Sequence, residues 1–105
     1  MTAVREFPPW VWNLPEQFNI GVACTDAHLG TPVEQRTAVV VDDDQVGVRQ
    51  ATFAELARDT GRFARLLRDL GVGAGARVLI RLPNCLEYPV VFLGAMKGGA
   101  IPVPT

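Results

Sequence analysis

The stretch Arg77-Val-Leu-Ile-Arg-Leu-Pro-Asn84 decides the fold of this chain, because it leads a predicted strand straight into a predicted helix. The aliphatic run predicts a strand over residues 77–82, and the apolar residues that follow predict a helix over 85–97. Gly98-Gly99 would end that helix, and residues 100–104 predict a second strand. Strand, helix and strand in this order form a βαβ unit, the building block of a parallel sheet.

The predicted parallel sheet has a consequence for the rest of the protein. Parallel sheets are covered by helices on both faces and need neighbours for their strands. We therefore expect an α/β fold in which this chain is the N-terminal fragment of a larger domain.

An amphipathic helix is predicted over residues 53–70, just before this unit. Thr52-Phe53-Ala54-Glu55 has the spacing of a capping box, in which the threonine and glutamate side chains each bond the other residue's backbone N–H. Apolar residues recur on one side at 3.6 residues per turn, and charged residues occupy the other side. Gly71 would close the helix as a left-handed C-cap.

A hairpin near residues 37–50 is predicted ahead of the helix. Residues 37–41 are a β-branched run, Asp42-Asp43-Asp44 predicts a turn, and residues 46–49 alternate between apolar and other residues. This pattern predicts two antiparallel strands.

The N-terminal region divides into two predicted parts. Residues 1–15 are expected to be an extended arm, because three prolines prevent a continuous helix there. Residues 16–105 are expected to be a partial N-terminal subdomain. A helix should run from Pro15 toward Leu29, with Gly30 as its stop.

The composition describes an ordinary globular chain and excludes several classes of function. Its 105 residues make one domain at most, with 49% hydrophobic and 20% charged residues. The net charge of −1 gives no bulk attraction for nucleic acid, so no nucleic-acid partner is expected. The longest apolar run, residues 90–96, is far shorter than a membrane span, and no signal-peptide pattern opens the sequence. We expect no membrane span and a cytoplasmic location.

Cysteine and histidine offer one weak candidate for chemistry. Cys24 and His28 are four residues apart on a predicted helix and could form a two-ligand metal clip, although zinc needs four ligands or three and a water. The alternative that we favour is a buried thiol and a surface or capping histidine. Cys24 and Cys85 are expected to be buried thiols rather than a disulfide. The sequence contains no serine, which excludes serine nucleophiles within it.

A glycine-rich segment, Gly71-Val-Gly-Ala-Gly-Ala76, matches the pattern G-x-G-x-x-[G/A] of dinucleotide-binding loops. Such a loop follows a strand and opens a helix, so that helix N–H groups meet the pyrophosphate. Here the helix comes first and the strand follows. A helix C-cap and a tight turn are the favoured interpretation.

The remaining polar features have structural explanations that we prefer. Asp42-Asp43-Asp44 could bind a hard cation, but adjacent carboxylates point in different directions and indicate a solvated turn. The arginines of residues 58–68 alternate with acids and indicate ion pairs rather than a nucleic-acid surface. Asn84 is an N-cap candidate for the helix after it. Pro89 should leave one carbonyl of that helix without its usual donor, which indicates a kink.

Several short strings, taken in order, resemble acyl- and aryl-CoA synthetases. Phe18-Asn-Ile-Gly21 and Thr52-Phe-Ala-Glu-Leu56 resemble the segments that open two helices of those enzymes. Leu70-Gly-Val72 with Gly75-Ala-Arg-Val78 resembles the superfamily's LGV-x-x-GDRV segment, with Ala76 in place of the aspartate. Further matching pieces are Leu82-Pro-Asn84, Glu87, Phe92-Leu-Gly-Ala95, Gly99-Ala100 and Val103-Pro104. The string Glu87–Ala95 is most similar to the benzoate-CoA ligase branch, and the resemblance covers about residues 18–105.

The resemblance implies an adenylate-forming ligase. Such enzymes join a carboxylic acid to ATP with release of pyrophosphate, and coenzyme A then attacks the acyl-adenylate. For the full-length family it implies ATP, Mg²⁺ and coenzyme A, with a small carboxylic acid as substrate. The family's phosphate loop, adenine motif, ribose-binding aspartate, hinge and catalytic lysine all lie beyond residue 105. We therefore assign no catalytic, cofactor-binding or metal residue in this chain, and expect the chain alone to be inactive.

Two other classes of function remain open. A stand-alone interaction module could pair its open sheet edge with a partner, and such an edge also predicts self-association of the isolated chain. An independent nucleotide-binding domain would rest on the reversed glycine pattern alone.

Overall fold

A computed structural model describes residues 4–105, which form a mixed α/β fold with two small sheets. Its helices are α1 (Ile20–Cys24), α2 (Phe53–Asp69) and α3 (Glu87–Lys97), and a 3₁₀ turn at Asp26–His28 follows α1. Its strands are β1 (Thr37–Asp43), β2 (Gly47–Thr52), β3 (Arg77–Ile80) and β4 (Ile101–Pro104). The predicted hairpin, amphipathic helix and βαβ unit are all confirmed.

The hairpin turn lies two residues later than predicted. β1 and β2 pair antiparallel as far as Asp43 opposite Gly47, so Asp42 and Asp43 belong to the strand. The carboxylate of Asp43 accepts the backbone N–H groups of Gln45 at 2.8 Å and Val46 at 3.0 Å. These bonds close the turn after Asp43, and they place Val46 in the turn rather than in the second strand.

Helix α2 begins and ends by local hydrogen bonding. The hydroxyl of Thr52 accepts the N–H of Glu55 at 3.1 Å and donates to the Glu55 carboxylate at 3.2 Å. At the other end, Gly71 has φ 80° and the N–H of Val72 donates to the carbonyl of Leu67 at 2.8 Å. This is a Schellman motif, and it confirms Gly71 as the left-handed residue that ends the helix.

Within residues 4–105, helices cover one face of the parallel sheet and leave the other face bare. β3 and β4 pair from Arg77 with Ile101 to Ile80 with Pro104, and because the pairing stops there β3 ends two residues earlier than predicted. Helices α2 and α3 cover the face that carries Val78 and Ile80. The hydrophobic core between these helices and the sheet comprises Leu67, Ala95 and Ala100, with Phe63, Val72 and Val78 packed around them. The opposite face exposes Leu79 and Ile101.

The start of α3 corrects two predictions. The helix begins at Glu87, its N-cap is Leu86, and Asn84 lies outside it rather than capping it. Pro89 is therefore the third helical residue, where a backbone N–H has no acceptor within the helix. The carbonyl of Cys85 accepts instead from Tyr88 at 3.2 Å, so the proline leaves no carbonyl orphaned there.

The N-terminal helix is shorter than predicted. Asn19 is its N-cap, accepting the N–H of Val22 at 3.1 Å, so the residues between Pro15 and Asn19 are not helical. Residues 4–15 form neither helix nor strand and are exposed, whereas residues 1–3 of the predicted arm lie outside the described residues. The division into an arm and a subdomain stays a prediction. In the part of the chain that the structure describes, no helix is long and apolar enough to cross a bilayer.

Candidate functional site

Within residues 4–105, the structure adds no third ligand to the metal-clip candidates Cys24 and His28. Among residues 4–105, no three side chains of His, Cys, Asp or Glu converge in a way that could hold a metal ion. Cys24 is exposed and Cys85 is half-buried, and both are free thiols, so the expectation that both thiols are buried is wrong. His28 packs its ring against Phe53 with centroids 4.8 Å apart.

Of the three aspartates of the hairpin, Asp43 accepts hydrogen bonds from the backbone of its own turn. Hydrogen bonds from Gln45 and then Val46 hold the pKa of the Asp43 carboxyl below its usual value. Because this carboxylate already accepts hydrogen bonds from two backbone N–H groups, we interpret Asp43 as an Asx-type turn residue rather than as a cation ligand.

The most elaborate polar cluster joins three helical segments around Lys97, and we call it the Lys97 junction. Lys97 is the one lysine of the sequence, and its side chain is 8% exposed. Its Nζ donates to Asp26 Oδ1 at 3.0 Å, the Ala57 carbonyl at 3.2 Å and Thr60 Oγ1 at 3.2 Å. All three donors of the ammonium are thereby used.

Asn19 ties α1 to the end of α3 at the same junction. Its Nδ2 donates to the carbonyl of Met96 at 2.9 Å, while its Oδ1 caps α1. Gly21 lies so close to α3 that a Cβ there would be 2.6 Å from the Leu93 carbonyl oxygen. The string Phe18–Gly21 therefore has a structural role, which is to lay α1 across the end of α3.

A second close approach joins α2 and α3. A Cβ added at Gly94 would lie 2.9 Å from the Thr60 carbonyl oxygen and 3.0 Å from Phe63 Cδ1. The absence of a side chain at Gly94 thus allows the two helices to pack with their backbones close together.

A groove of about 650 Å³ opens beside the Lys97 junction. Its walls are α1, the second half of α2, the end of α3 and the glycine-rich turn of residues 71–76. That turn follows α2 and precedes β3, so no helix begins at it, and the dinucleotide-binding interpretation loses its structural basis. Arg65 and Arg68 stand on the α2 side of the groove.

Two of the four α2 arginines form the surface ion pairs that the sequence predicts, whereas the prediction is wrong for Arg65 and Arg68. Arg58 and Arg62 both contact Asp59, at 3.0 Å and 3.7 Å. Arg49 of β2 contacts Glu87 at 3.6 Å. A hydrogen bond from its own backbone N–H, then one from the Cys85 thiol, lowers the pKa of the Glu87 carboxyl, and Arg49 adds to this effect.

The chemistry available in these residues is that of a scaffold. The buried polar groups of the Lys97 junction bond one another, and no catalytic role follows from them. Sequence reasoning missed this junction, although a lone lysine directly after the apolar run of residues 90–96 was a usable signal. Its partner Asp26 lies 71 residues away, so no local pattern could have identified it. The absence of site residues in this chain stays a prediction.

Comparison with known proteins identifies relatives along most of the chain. The family model described as AMP-binding enzyme matches residues 26–105. The chain is 34% identical over 94 residues to the acetyl-coenzyme A synthetase of Thiobacillus denitrificans, covering 90% of this chain and 14% of that protein. It is 49% identical over 63 residues to the 4-coumarate--CoA ligase-like 9 protein of Oryza sativa subsp. japonica, covering 60% of this chain and 11% of that protein.

Solved structures agree with these sequence matches. An acyl-CoA synthetase of Brucella canis superposes with a TM-score of 0.73 and 30% identity, over 81% of this chain and 15% of that one. A benzoate CoA ligase from Burkholderia xenovorans LB400 superposes with a TM-score of 0.67 and 29% identity, over 85% of this chain and 17% of that one.

The relatives are acyl-CoA synthetases and CoA ligases, and the chain spans only 11–14% of the length of the two sequence relatives above. The matched part contains α2, the hairpin, the βαβ unit, and Lys97 with the three residues that it bonds. The resemblance seen in the short strings is therefore confirmed. This chain belongs to the AMP-binding enzyme family.

Proposed function

We propose that the protein to which this chain belongs activates a small carboxylic acid with ATP and transfers the acyl group to coenzyme A. The observation that carries this proposal is the family match over residues 26–105, together with relatives that are CoA ligases and synthetases. The names of the relatives include acetyl, 4-coumarate and benzoate, so the proposal covers small carboxylic acids as a class.

In this proposal residues 4–105 are the N-terminal scaffold of the ligase and take no direct part in the chemistry. Their buried polar groups bond each other, as Lys97 does with Asp26 and Thr60. The proposal assigns no Mg²⁺ ligand to residues 4–105. The ATP, Mg²⁺ and coenzyme A that take part in the reaction would be held by parts of a longer polypeptide.

Two assays test the two halves of the proposal. The purified 105-residue chain should catalyse no ATP–pyrophosphate exchange with acetate, benzoate or 4-coumarate. Robust acid-dependent exchange by this chain would overturn the scaffold role.

The ligase activity is tested on the protein expressed from the complete reading frame. It should release pyrophosphate only when ATP and a suitable acid are present, and should form the acyl-CoA when coenzyme A is added. Failure of every acid tested, with a folded protein that binds ATP, would contradict the proposed activity.

A second candidate function is the interaction module with an open sheet edge, and the bare face of the β3–β4 sheet offers it a further contact surface. Leu79 is 69% exposed and Ile101 49% exposed on that face. Sedimentation velocity tests this candidate on the protein expressed from the complete reading frame: concentration-dependent self-association that Leu79→Lys abolishes supports an adhesive face, whereas a monomer at all concentrations argues against it. For both candidates we propose a cytoplasmic location.

A further inference from the structure

Arg65 and Arg68 differ from the other arginines of helix α2. Arg58 and Arg62 are paired with Asp59, whereas neither Arg65 nor Arg68 contacts a carboxylate within residues 4–105. Both line the groove beside the Lys97 junction. We propose that this groove binds a diphosphate group through these two arginines.

The charge of the groove supports an anionic ligand. Asp26 is the one acidic residue on its wall, and its carboxylate is already bonded to Lys97 at 3.0 Å. The two arginines therefore give the lining an excess of positive charge. Guanidinium groups hold phosphate oxygens by paired, charge-assisted hydrogen bonds, which a diphosphate can accept from both arginines at once.

The glycine-rich turn, which also lines the groove, supplies a second feature. The backbone N–H groups of Gly73 and Ala74 have no hydrogen-bond acceptor among the described residues. A Cβ added at Gly73 would meet nothing within 4 Å, so this wall is open to a ligand. Free N–H groups in a turn bind anions well, because they add partial positive charge without a bulky side chain.

The spacing of the arginines suits a diphosphate, and the groove has room for one. Residues three apart on a helix are neighbours on its surface, about 5–6 Å between Cβ atoms. The groove volume of about 650 Å³ lies within the usual range for small-molecule sites. Arg68 also lies in the last turn of α2, where a cation interacts favourably with the helix dipole. This interaction gives Arg68 a structural role, but Arg65 is too far from the helix end to share it.

The test is a titration of the 105-residue chain, ¹⁵N-labelled, at constant ionic strength. Inorganic pyrophosphate and ADP are added separately, and sodium chloride of equal ionic strength is the blank. Saturable shifts of the Gly73 and Ala74 amides with either ligand support the proposal. Tighter binding of ADP would show that the groove also recognises the nucleoside part of a nucleotide or coenzyme, and equal binding would show that it recognises the diphosphate alone.

Matched variants identify the residues responsible. Arg65→Gln with Arg68→Gln should weaken binding about tenfold or more, since each loses charge-assisted hydrogen bonds to phosphate. Arg58→Gln with Arg62→Gln removes the same charge from the same helix and should leave the affinity within about twofold. Equal weakening by both pairs, or no saturable shift with either ligand, would overturn the proposal.

A further variant tests whether weaker binding can be separated from a loss of folding. Gly73→Val narrows the groove at a position where a Cβ meets nothing, so the chain should fold while binding weakens. Unchanged affinity in this variant would contradict the placement of the ligand. The titration needs no ligase activity, so its failure would leave the proposed function untouched.

Discussion

The two faces of the β3–β4 sheet differ in what covers them. On one face Ile80 is 2% exposed beneath the helices, whereas its neighbour Leu79 is 69% exposed on the other. Successive strand residues point to opposite faces, so one four-residue strand carries both environments. The covered face should supply the stability of this chain, and the bare face marks the surface where a further layer fits in a parallel-sheet protein.

The largest expected effect comes from emptying the covered face. Ile80→Ala should lower the free energy of unfolding by about 2–5 kcal/mol, because it leaves a cavity in a closed core. Chemical denaturation followed by circular dichroism measures this. Leu79→Ala in the same strand is the matched control and should cost less than about 0.5 kcal/mol, as exposed substitutions do. Similar costs for the two variants would mean that the two faces are not as different as the structure has them.

The next effect comes from separating the two covering helices. Gly94→Ala places a Cβ 2.9 Å from the Thr60 carbonyl oxygen, and overpacking of this kind costs about 1–3 kcal/mol. Gly61→Ala is the control in α2, because a Cβ there would meet only Lys97 Nζ at 3.6 Å. That control should gain about 0.5–1 kcal/mol from helix propensity. A stabilising Gly94→Ala would show that the helices can move apart freely.

A smaller effect should follow from breaking the ion pair of the Lys97 junction. Lys97→Met keeps the aliphatic volume but leaves the Asp26 carboxylate without its ammonium partner. The side chain of Asp26 is 39% exposed, so water replaces part of the interaction and the loss should be about 1–2 kcal/mol. Arg62→Gln, which removes only an exposed ion pair, should change stability by less than about 0.5 kcal/mol. Equal losses of stability in the two variants would mean that the Lys97–Asp26 pair contributes no more than an exposed ion pair.

The smallest effect concerns the hairpin, which lies outside both faces of the sheet. The folded pKa of Asp43 is lowered below 3.8, so its stabilising bonds are complete above that pH and are lost as the pH falls through the lowered value. The amide shifts of Gln45 and Val46, followed by NMR against pH, should change below pH 3.8. Asp43→Asn keeps an acceptor oxygen and should remove this titration. A midpoint at or above 3.8 in the unmodified chain would contradict the assignment.

The ends of a helix could be predicted from the sequence where they depend on hydrogen bonds between residues a few positions apart. The end of α2 depends on Gly71 and the residues on either side of it, and its start depends on Thr52 and Glu55. The start of α3 could not be predicted in this way, because Asn84 is a good capping residue by type and yet does not cap the helix. Residue preference alone does not say which turn becomes the first turn of a packed helix.

In the candidate site, too, local features could be predicted from the sequence and long-range features could not. The ion pairing of the first arginines of α2 followed from the acids interleaved with them. The groove did not follow, because it forms where the glycine-rich turn and the end of α2 meet α1 and the end of α3. Its walls come from distant parts of the chain, so no single segment contains its pattern.

The sequence by itself determined the order of elements, the ends of α2, the hairpin, the βαβ unit and the family resemblance. These depend on side-chain periodicity and on capping bonds between residues a few positions apart. Only the tertiary structure decided that Lys97 is buried against Asp26, that Asn19 lies at the end of α3, and that one sheet face is bare. Those features depend on contacts between residues more than 70 positions apart or on what packs against a face, and such contacts exist only after the chain has folded.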